Sequence, residues 1–206
     1  MNNLNIFLAL MVVIFTIFIL AQSETKACPP GYQYDSTTFT VNGCTIEVTF
    51  CYYCSATGVG FDMIKQVYKI PYSCWTYASS HQQEVDDAAD VAILEFLMNI
   101  NGCIKPCSDP GWQLHVAQIS ELPCCQFKLD NQNQVVWILP CEGTGYCYKF
   151  YTVCVEIING QPQLTYLPDH ATSNLGDCQL LEPPEIPENA PDGWTSECFT
   201  WGYCGF

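Results

Sequence analysis

Hydrophobic and polar residues alternate along much of the chain in a way that selects strands. Cys44, Ile46, Val48 and Phe50 are separated by Thr45, Glu47 and Thr49, the period-two pattern of a strand with one buried face. A loop over residues 55–60 follows, and residues 61–70 return to end at Pro71, which predicts a first hairpin. A second hairpin is predicted where residues 146–158 run to Asn159-Gly160 and residues 163–167 return to end at Pro168. Asn-Gly suits the tight turn of a two-residue hairpin loop, because both residues tolerate positive φ. A third is read from residues 126–129 and 134–139, which flank a polar turn over residues 130–133.

One segment breaks this pattern. Val85, Ala88, Ala89, Ala92, Ile93, Phe96, Leu97 and Ile100 recur at helical spacing, the apolar stripe of an amphipathic helix. Ser80 with Gln83 forms a candidate capping box. Asp86, Asp87 and Asp90 read as solvated charges that complement the helix dipole, and Gly102 stands where the helix would stop. The helix is expected to pack across a sheet face between the hairpins.

A partial internal repeat sets the organisation. Pro30-Gly31-Tyr32-Gln33 matches Pro110-Gly111-Trp112-Gln113, and a cysteine follows each glycine by the same interval, Cys44 and Cys124. Cys44, Thr49 and Cys51 share their spacing with Cys147, Thr152 and Cys154, so the second copy needs an insertion of about two dozen residues, where the third hairpin falls. The fold class is therefore read as mainly β: two disulfide-stapled antiparallel β modules, built of hairpins and sandwich-like, with one amphipathic helix between them. The boundaries are residues 24–78 for the first module, 79–102 for the helix and 103–168 for the second. Residues 169–206 form a proline-rich strap tethered by cysteines.

The first 23 residues differ in kind. An uncharged apolar run over residues 6–20 leads to Ala21-Gln22-Ser23, the layout of a secretory signal peptide. No lysine or arginine precedes the run, and an uncleaved anchor is the alternative, although the run falls short of the roughly 20 residues that span a bilayer.

Cysteine content then fixes the compartment. Cys28, Cys44, Cys51, Cys54, Cys74, Cys103, Cys107, Cys124, Cys125, Cys141, Cys147, Cys154, Cys178, Cys198 and Cys204 all follow the apolar run. Such density fits disulfides in an oxidising compartment, secreted or at a cell surface. The chain after residue 23 is long enough to bury about 70 % of its unfolded surface, so the cysteines exceed what folding requires. Fifteen is odd: one thiol is buried and free, or is paired with another chain.

The chain is acidic, with net charge −15 from 21 carboxylates and six basic residues, all lysines. That surface repels phosphate backbones and anionic lipid, which excludes nucleic acid as a partner class. The absence of arginine removes the side chain best shaped for bidentate phosphate binding.

No spacing assembles an active site, and neither a catalytic residue nor a cofactor or metal ligand is assigned. Cys51 and Cys54 form a CxxC, but Ser55 to Gly60 cannot open the helix that a redox motif needs. The adjacent Cys124 and Cys125 are poorly disposed to share a tetrahedral zinc. His81, His115 and His170 lie far apart and there is no GxSxG elbow. Asp86, Asp87 and Asp90 fall on a helix rather than in a loop that wraps calcium. Aromatics are more suggestive: Trp75 and Trp137 read as core, while Trp194, Trp201 and Tyr203 are candidate binding aromatics, since amphipathic rings favour interfaces.

The chain is read as a secreted, cysteine-rich structural or interaction protein rather than an enzyme, with a self-assembling surface, matrix or filament subunit as the form expected. Its expected partners are copies of itself, another extracellular protein or a neutral glycan. An extracellular module that binds glycan or protein through exposed aromatics is the alternative, and a small secreted hydrolase comes third.

Overall fold

The computed structural model describes residues 28–206 except 56–59, 101–102, 112–115, 142–144, 175–177, 179, 203 and 206. The segment read as a signal peptide lies outside the described residues, as do Trp112, His115 and Tyr203. Among the described residues there are nine strands: β1 (Gln33–Val41), β2 (Cys44–Cys54), β3 (Gly60–Pro71), β4 (Val116–Ser120), β5 (Cys124–Asp130), β6 (Val135–Pro140), β7 (Tyr146–Ile158), β8 (Gln161–Asn174) and β9 (Phe199–Thr200). Two α-helices follow β3 by way of a short 3-10 turn: α1 (Trp75–Ser80) and α2 (Gln82–Met98). The fold is mainly β, antiparallel hairpins with an amphipathic helix, stapled throughout by disulfides.

Turn chemistry sets the hairpins. Asn42 and Gly43 have φ of 47° and 76°, and Asn159 and Gly160 have 53° and 79°. Both turns place two successive residues in the left-handed region, as the two-residue hairpin loop demands. The first joins β1 to β2 in unbroken register from Gln33↔Tyr52 to Val41↔Cys44. β1 escapes the hydrophobic pattern because it is rich in serine and threonine and buries only its last residues.

β1–β2–β3 and β4–β7–β8 each pair as an antiparallel triple, and the parallel pairing of β3 with β4 joins them in one sheet. β3 is the pivot. Its outer edge pairs with β4 over Gly60 to Ile64 and with β6 over Tyr68 to Pro71, so the sheet forks there. The β5–β6 hairpin and β9 continue the second branch. β8 runs past Pro168, because a bulge between Phe150 and Tyr151 of β7 and their partners accommodates Asp169 at the sheet's edge.

α2 lies against β1 and reaches β8, two of the sheet's edge strands, so the sheet curls around it. Val85, Ala89, Ile93, Leu94 and Leu97 pack onto the inward residues of β2 and β3, among them Ile46, Val48, Phe50 and Met63. No side chain caps α2. Ser80 Oγ instead donates to the carbonyls of Thr76 (2.8 Å) and Tyr77 (3.0 Å), and so closes α1. The capping-box expectation fails because a separate helix already claims that serine. Among the described residues no helix is long and apolar enough to cross a membrane.

The bridges are Cys28–Cys51, Cys44–Cys74, Cys54–Cys103, Cys107–Cys154, Cys124–Cys178, Cys141–Cys198 and Cys147–Cys204. Cys125 is left free and buried. The strap is tied to the body by three of these, so Cys198 and Cys204 do not close a loop on each other. The CxxC cysteines likewise separate, Cys51 bonding back to Cys28 and Cys54 to Cys103 at the end of α2.

Candidate functional site

The least expected feature of the fold is a set of charged groups inside it. Lys65 of β3 and Lys149 of β7 are both fully buried. Their ammonium groups meet three carboxylates, from Asp86 and Asp90 of α2 and from Glu121 just beyond β4. Isolated charges at such depth are very unfavourable, and buried charges persist only when paired.

Backbone geometry explains how the five meet. Along β3, Phe61, Met63 and Lys65 alternate inward, and the register slips at Gln66. The extra residue shifts the alternation by one, so Tyr68 and Ile70 face inward as well. Lys65 and Tyr68, three apart, therefore share a face. On β7 the inward residues include Lys149 and Tyr151, opposite Ile119 and Ala117 of β4, and Glu121 extends the inward series of β4. Asp86 and Asp90, four apart on α2, complete the set on the helix's buried stripe.

Lys65 Nζ lies 2.5 Å from Asp90 Oδ1, 2.6 Å from Glu121 Oε2 and 3.3 Å from Asp86 Oδ1. Lys149 Nζ lies 3.3 Å from Asp90 Oδ2, 3.5 Å from Glu121 Oε1 and 3.2 Å from the half-exposed Asp87 Oδ1. Tyr151 donates its hydroxyl to Asp90 Oδ2 at 2.8 Å, and Tyr68 donates a short hydrogen bond to Asp86. Gly202 approaches from the strap with φ of +68°, and a Cβ there would come within 2.7 Å of Asp86 Oδ2.

Electrostatics sort the carboxylates. Burial raises the pKa of Asp90, but Lys65 and Lys149 outweigh it and hold the group below its usual range. Glu121 goes the other way: burial, then repulsion from Asp86 and Asp90, raises it well above the ordinary 4.5 against the pull of the lysines. Burial lowers Lys65, but the three carboxylates around it prevail and keep it charged. The raised pKa of Glu121 favours its protonated form, in which the two buried ammonium groups face the two buried aspartates, with the half-exposed Asp87 beside Lys149. Burial, followed by Asp86 and Glu121, also pushes the Cys125 thiol up. Its Sγ donates to the Leu122 carbonyl at 3.3 Å, which makes it an inert core sulfur.

A carboxyl whose pKa is raised on folding contributes stability that is complete below its unfolded value and is lost as pH rises through its folded one. Urea midpoints of the native protein should therefore fall as pH rises from the ordinary glutamate range through the raised value of Glu121. In Glu121→Gln, which cannot ionise there, that part of the slope should vanish. An unchanged slope would show that Glu121 is not the group responsible.

The helix aspartates correct the sequence reading. Asp86 and Asp90 are not solvated: they sit 2 % and 1 % exposed, paired with Lys65 and Lys149. The aromatics are redistributed too. Trp201 is 3 % exposed and packs beside Tyr68, Trp75 and Phe199, so it is core and offers no outward platform. Trp194 is half-buried against Phe127, and Tyr203 lies outside the described residues. Trp75 is buried as expected, whereas Trp137 is only half-buried. It lines a groove of about 340 Å³ with Val67, Leu129, Leu139, Gln132 and Asn133. Lys69 Nζ lies 5.4 Å from the Trp137 ring centroid. His81 stacks on Tyr77 and His170 on Phe150, each with a centroid distance of 4.4 Å. No protein-family model, curated protein or solved structure matches the chain.

The many intrachain disulfides fit an extracellular protein.

Proposed function

We propose that this is an extracellular structural protein that associates with copies of itself through the β7–β8 hairpin. The observation that carries the reading is the state of β8. It pairs with β7 and with no other described strand, and nearly all of its residues are exposed. Ile157 is 69 % exposed and Leu167 56 %, with Ile158 and Tyr166 also at the surface. Edge strands offer unpaired N–H and C=O groups, and apolar residues along such an edge favour addition of a strand from another chain.

Pro162 and Pro168 lack an N–H, and the Asp169 bulge bends the strand, so pairing is confined to the stretch from Gln163 to Leu167. The internal triple β1–β2–β3, with its counterpart β4–β7–β8, supports a duplicated module whose two copies ended with different edges. The bridges join cysteines of one chain, so association here is non-covalent. The free thiol and the strap play no part in it.

Sedimentation velocity over a wide concentration range should detect dimers or larger species under non-reducing conditions. Ile157→Glu with Leu167→Glu should return the protein to monomer, and a wild-type chain that stays monomeric throughout would remove the proposal.

A second reading, a module that binds neutral glycan, rests on the Trp137 groove. An aromatic face beside the amides of Gln132 and Asn133 suits a sugar ring. Loss of glycan-array signal in Trp137→Ala, with association unaffected, would favour that reading over the first.

A further inference from the structure

We infer that Lys65 and Asp90 condense to an intramolecular isopeptide bond, an amide that joins β3 to α2, with Glu121 carrying the protons. This modification site stands on the geometry of the cluster and is independent of whether chains associate.

Three observations carry it. First, the nucleophile and the carboxyl are pressed together: Lys65 Nζ is 2.5 Å from Asp90 Oδ1, with side chains 0 % and 1 % exposed. The contact lacks hydrogen-bond alignment, and Asp90 Oδ1 has no other hydrogen-bond partner. Second, the other oxygen of the same carboxyl is held by donors. Tyr151 Oη lies 2.8 Å and Lys149 Nζ 3.3 Å from Asp90 Oδ2. That is the arrangement which stabilises charge on a carbonyl oxygen in a tetrahedral intermediate. Third, a carboxyl fit to shuttle protons touches the attacking nitrogen, Glu121 Oε2 being 2.6 Å from Lys65 Nζ. Burial and its acidic neighbours raise the pKa of Glu121, the direction that suits a general acid.

The step balances within the chain. Glu121 gives its proton to Asp90 Oδ1 and takes one from the Lys65 ammonium, leaving a neutral amine beside a neutral carboxylic acid. Burial on all sides lowers the cost of exchanging the ion pair for these neutral forms. The Nζ lone pair then attacks Asp90 Cγ, and negative charge gathers on Oδ2 against Tyr151 and Lys149. One proton leaves Nζ and reaches the Oδ1 hydroxyl through Glu121. The Cγ–Oδ1 bond breaks, one water departs, and the Cγ=Oδ2 bond re-forms. No oxidant, reductant or outside reactant is needed. Fixed orientation replaces activation, since well-placed intramolecular groups react with effective molarities of about 10⁵ M or more.

Asp86 is the poorer partner. It stands farther from Lys65 Nζ, at 3.3 Å, and already receives the Tyr68 hydroxyl. The bond also falls where disulfides cannot reach: α2 contains no cysteine, and the nearest bridges attach outside it, at Cys74 and Cys103.

The test is mass spectrometry of the full chain made through a secretory pathway, after reduction and alkylation of all fifteen cysteines. The intact mass should fall short of the sequence mass by one water, once any cleaved leader is allowed for. Digestion should release a branched peptide that joins the segments containing Lys65 and Asp90. A chain with no water missing overturns the bond, and so does a water loss mapped to any other position. Lys65→Arg should restore the full mass, because its guanidinium does not condense under these conditions. Glu121→Gln, which keeps the shape of the side chain, should abolish or greatly slow the cross-link. A Glu121→Gln protein cross-linked as fully as wild type would overturn the assignment of Glu121.

Discussion

Lys65→Met should cost this protein far more stability than any surface substitution. Removing one partner of a buried ion pair strands the opposing charges, at about 3–5 kcal/mol relative to the folded chain before Lys65 and Asp90 have joined. Here Asp86, Asp90 and Glu121 would be left with Lys149 alone. Lys69→Met is the internal control. It removes the same kind of side chain from the same strand, β3, but the Lys69–Glu47 contact is 3.6 Å long with both groups more than a third exposed. Exposed pairs of this kind contribute about 0–1 kcal/mol. Equilibrium urea unfolding with the disulfides intact measures both. Equal losses in the two variants would show that the cluster is no more than solvated charge. Combining Lys65→Met with Asp90→Leu should recover part of the loss, since an apolar pair leaves fewer stranded charges than one half of an ionic pair.

The second large effect is expected from the paired change Cys54→Ala with Cys103→Ala. This bridge spans 49 residues and pins the chain just past α2 to the end of β2. Chain entropy alone assigns about 4 kcal/mol to a loop of that length. Six bridges would remain and already restrict the unfolded chain, so the measured loss should lie toward the lower part of the range of about 2–5 kcal/mol. Because the bridge clamps the outgoing end of the helix that carries Asp90, hydrogen exchange should also accelerate along α2 before it does in β2. Protection of α2 that matches wild type would place the anchoring of the helix elsewhere, in the charged cluster or the apolar core.

These two results bear on the same question, how the helix is held inside a curled sheet. Apolar packing of Val85, Ala89, Ile93 and Leu97 supplies the general attraction. It does not fix the helix's rotation, because a neighbouring apolar stripe through Ala88, Ala92 and Phe96 is available. Charged groups are more selective. Asp86 and Asp90 reach Lys65 and Lys149 only in one rotational setting, a way in which buried ionic groups specify structure as well as stabilise it.

Local periodicity and turn chemistry were sufficient for the hairpins. The limits of β7 and the Asn159-Gly160 turn follow from alternation and from the one dipeptide that accepts positive φ twice, and the inserted β5–β6 hairpin was equally legible. The Asn42-Gly43 turn carried the same signal, but β1 before it was hidden, since a serine- and threonine-rich edge strand shows little hydrophobic contrast. An odd cysteine was countable from the chain, whereas its burial at Cys125 was not.

The charged cluster had no sequence signal that a single segment could reveal. Asp86 and Asp90, viewed along their own helix, are indistinguishable from charges that favour a helix N-terminus, and Lys65 and Lys149 interrupt their strands as surface lysines would. What brings them together is a bulge at Gln66, the parallel junction of β3 and β4, and a sheet that curls around α2. Trp137 and Trp201 exchanged their expected places for the same reason: exposure depends on what the fork of the sheet and the tethered strap cover. Short-range pattern thus determined the strands of the three hairpins β2–β3, β5–β6 and β7–β8, the long helix and the oxidised character of the protein, because those depend on neighbours in sequence. Pairing of cysteines and burial of charge depend on neighbours in space, and only the tertiary structure decided them.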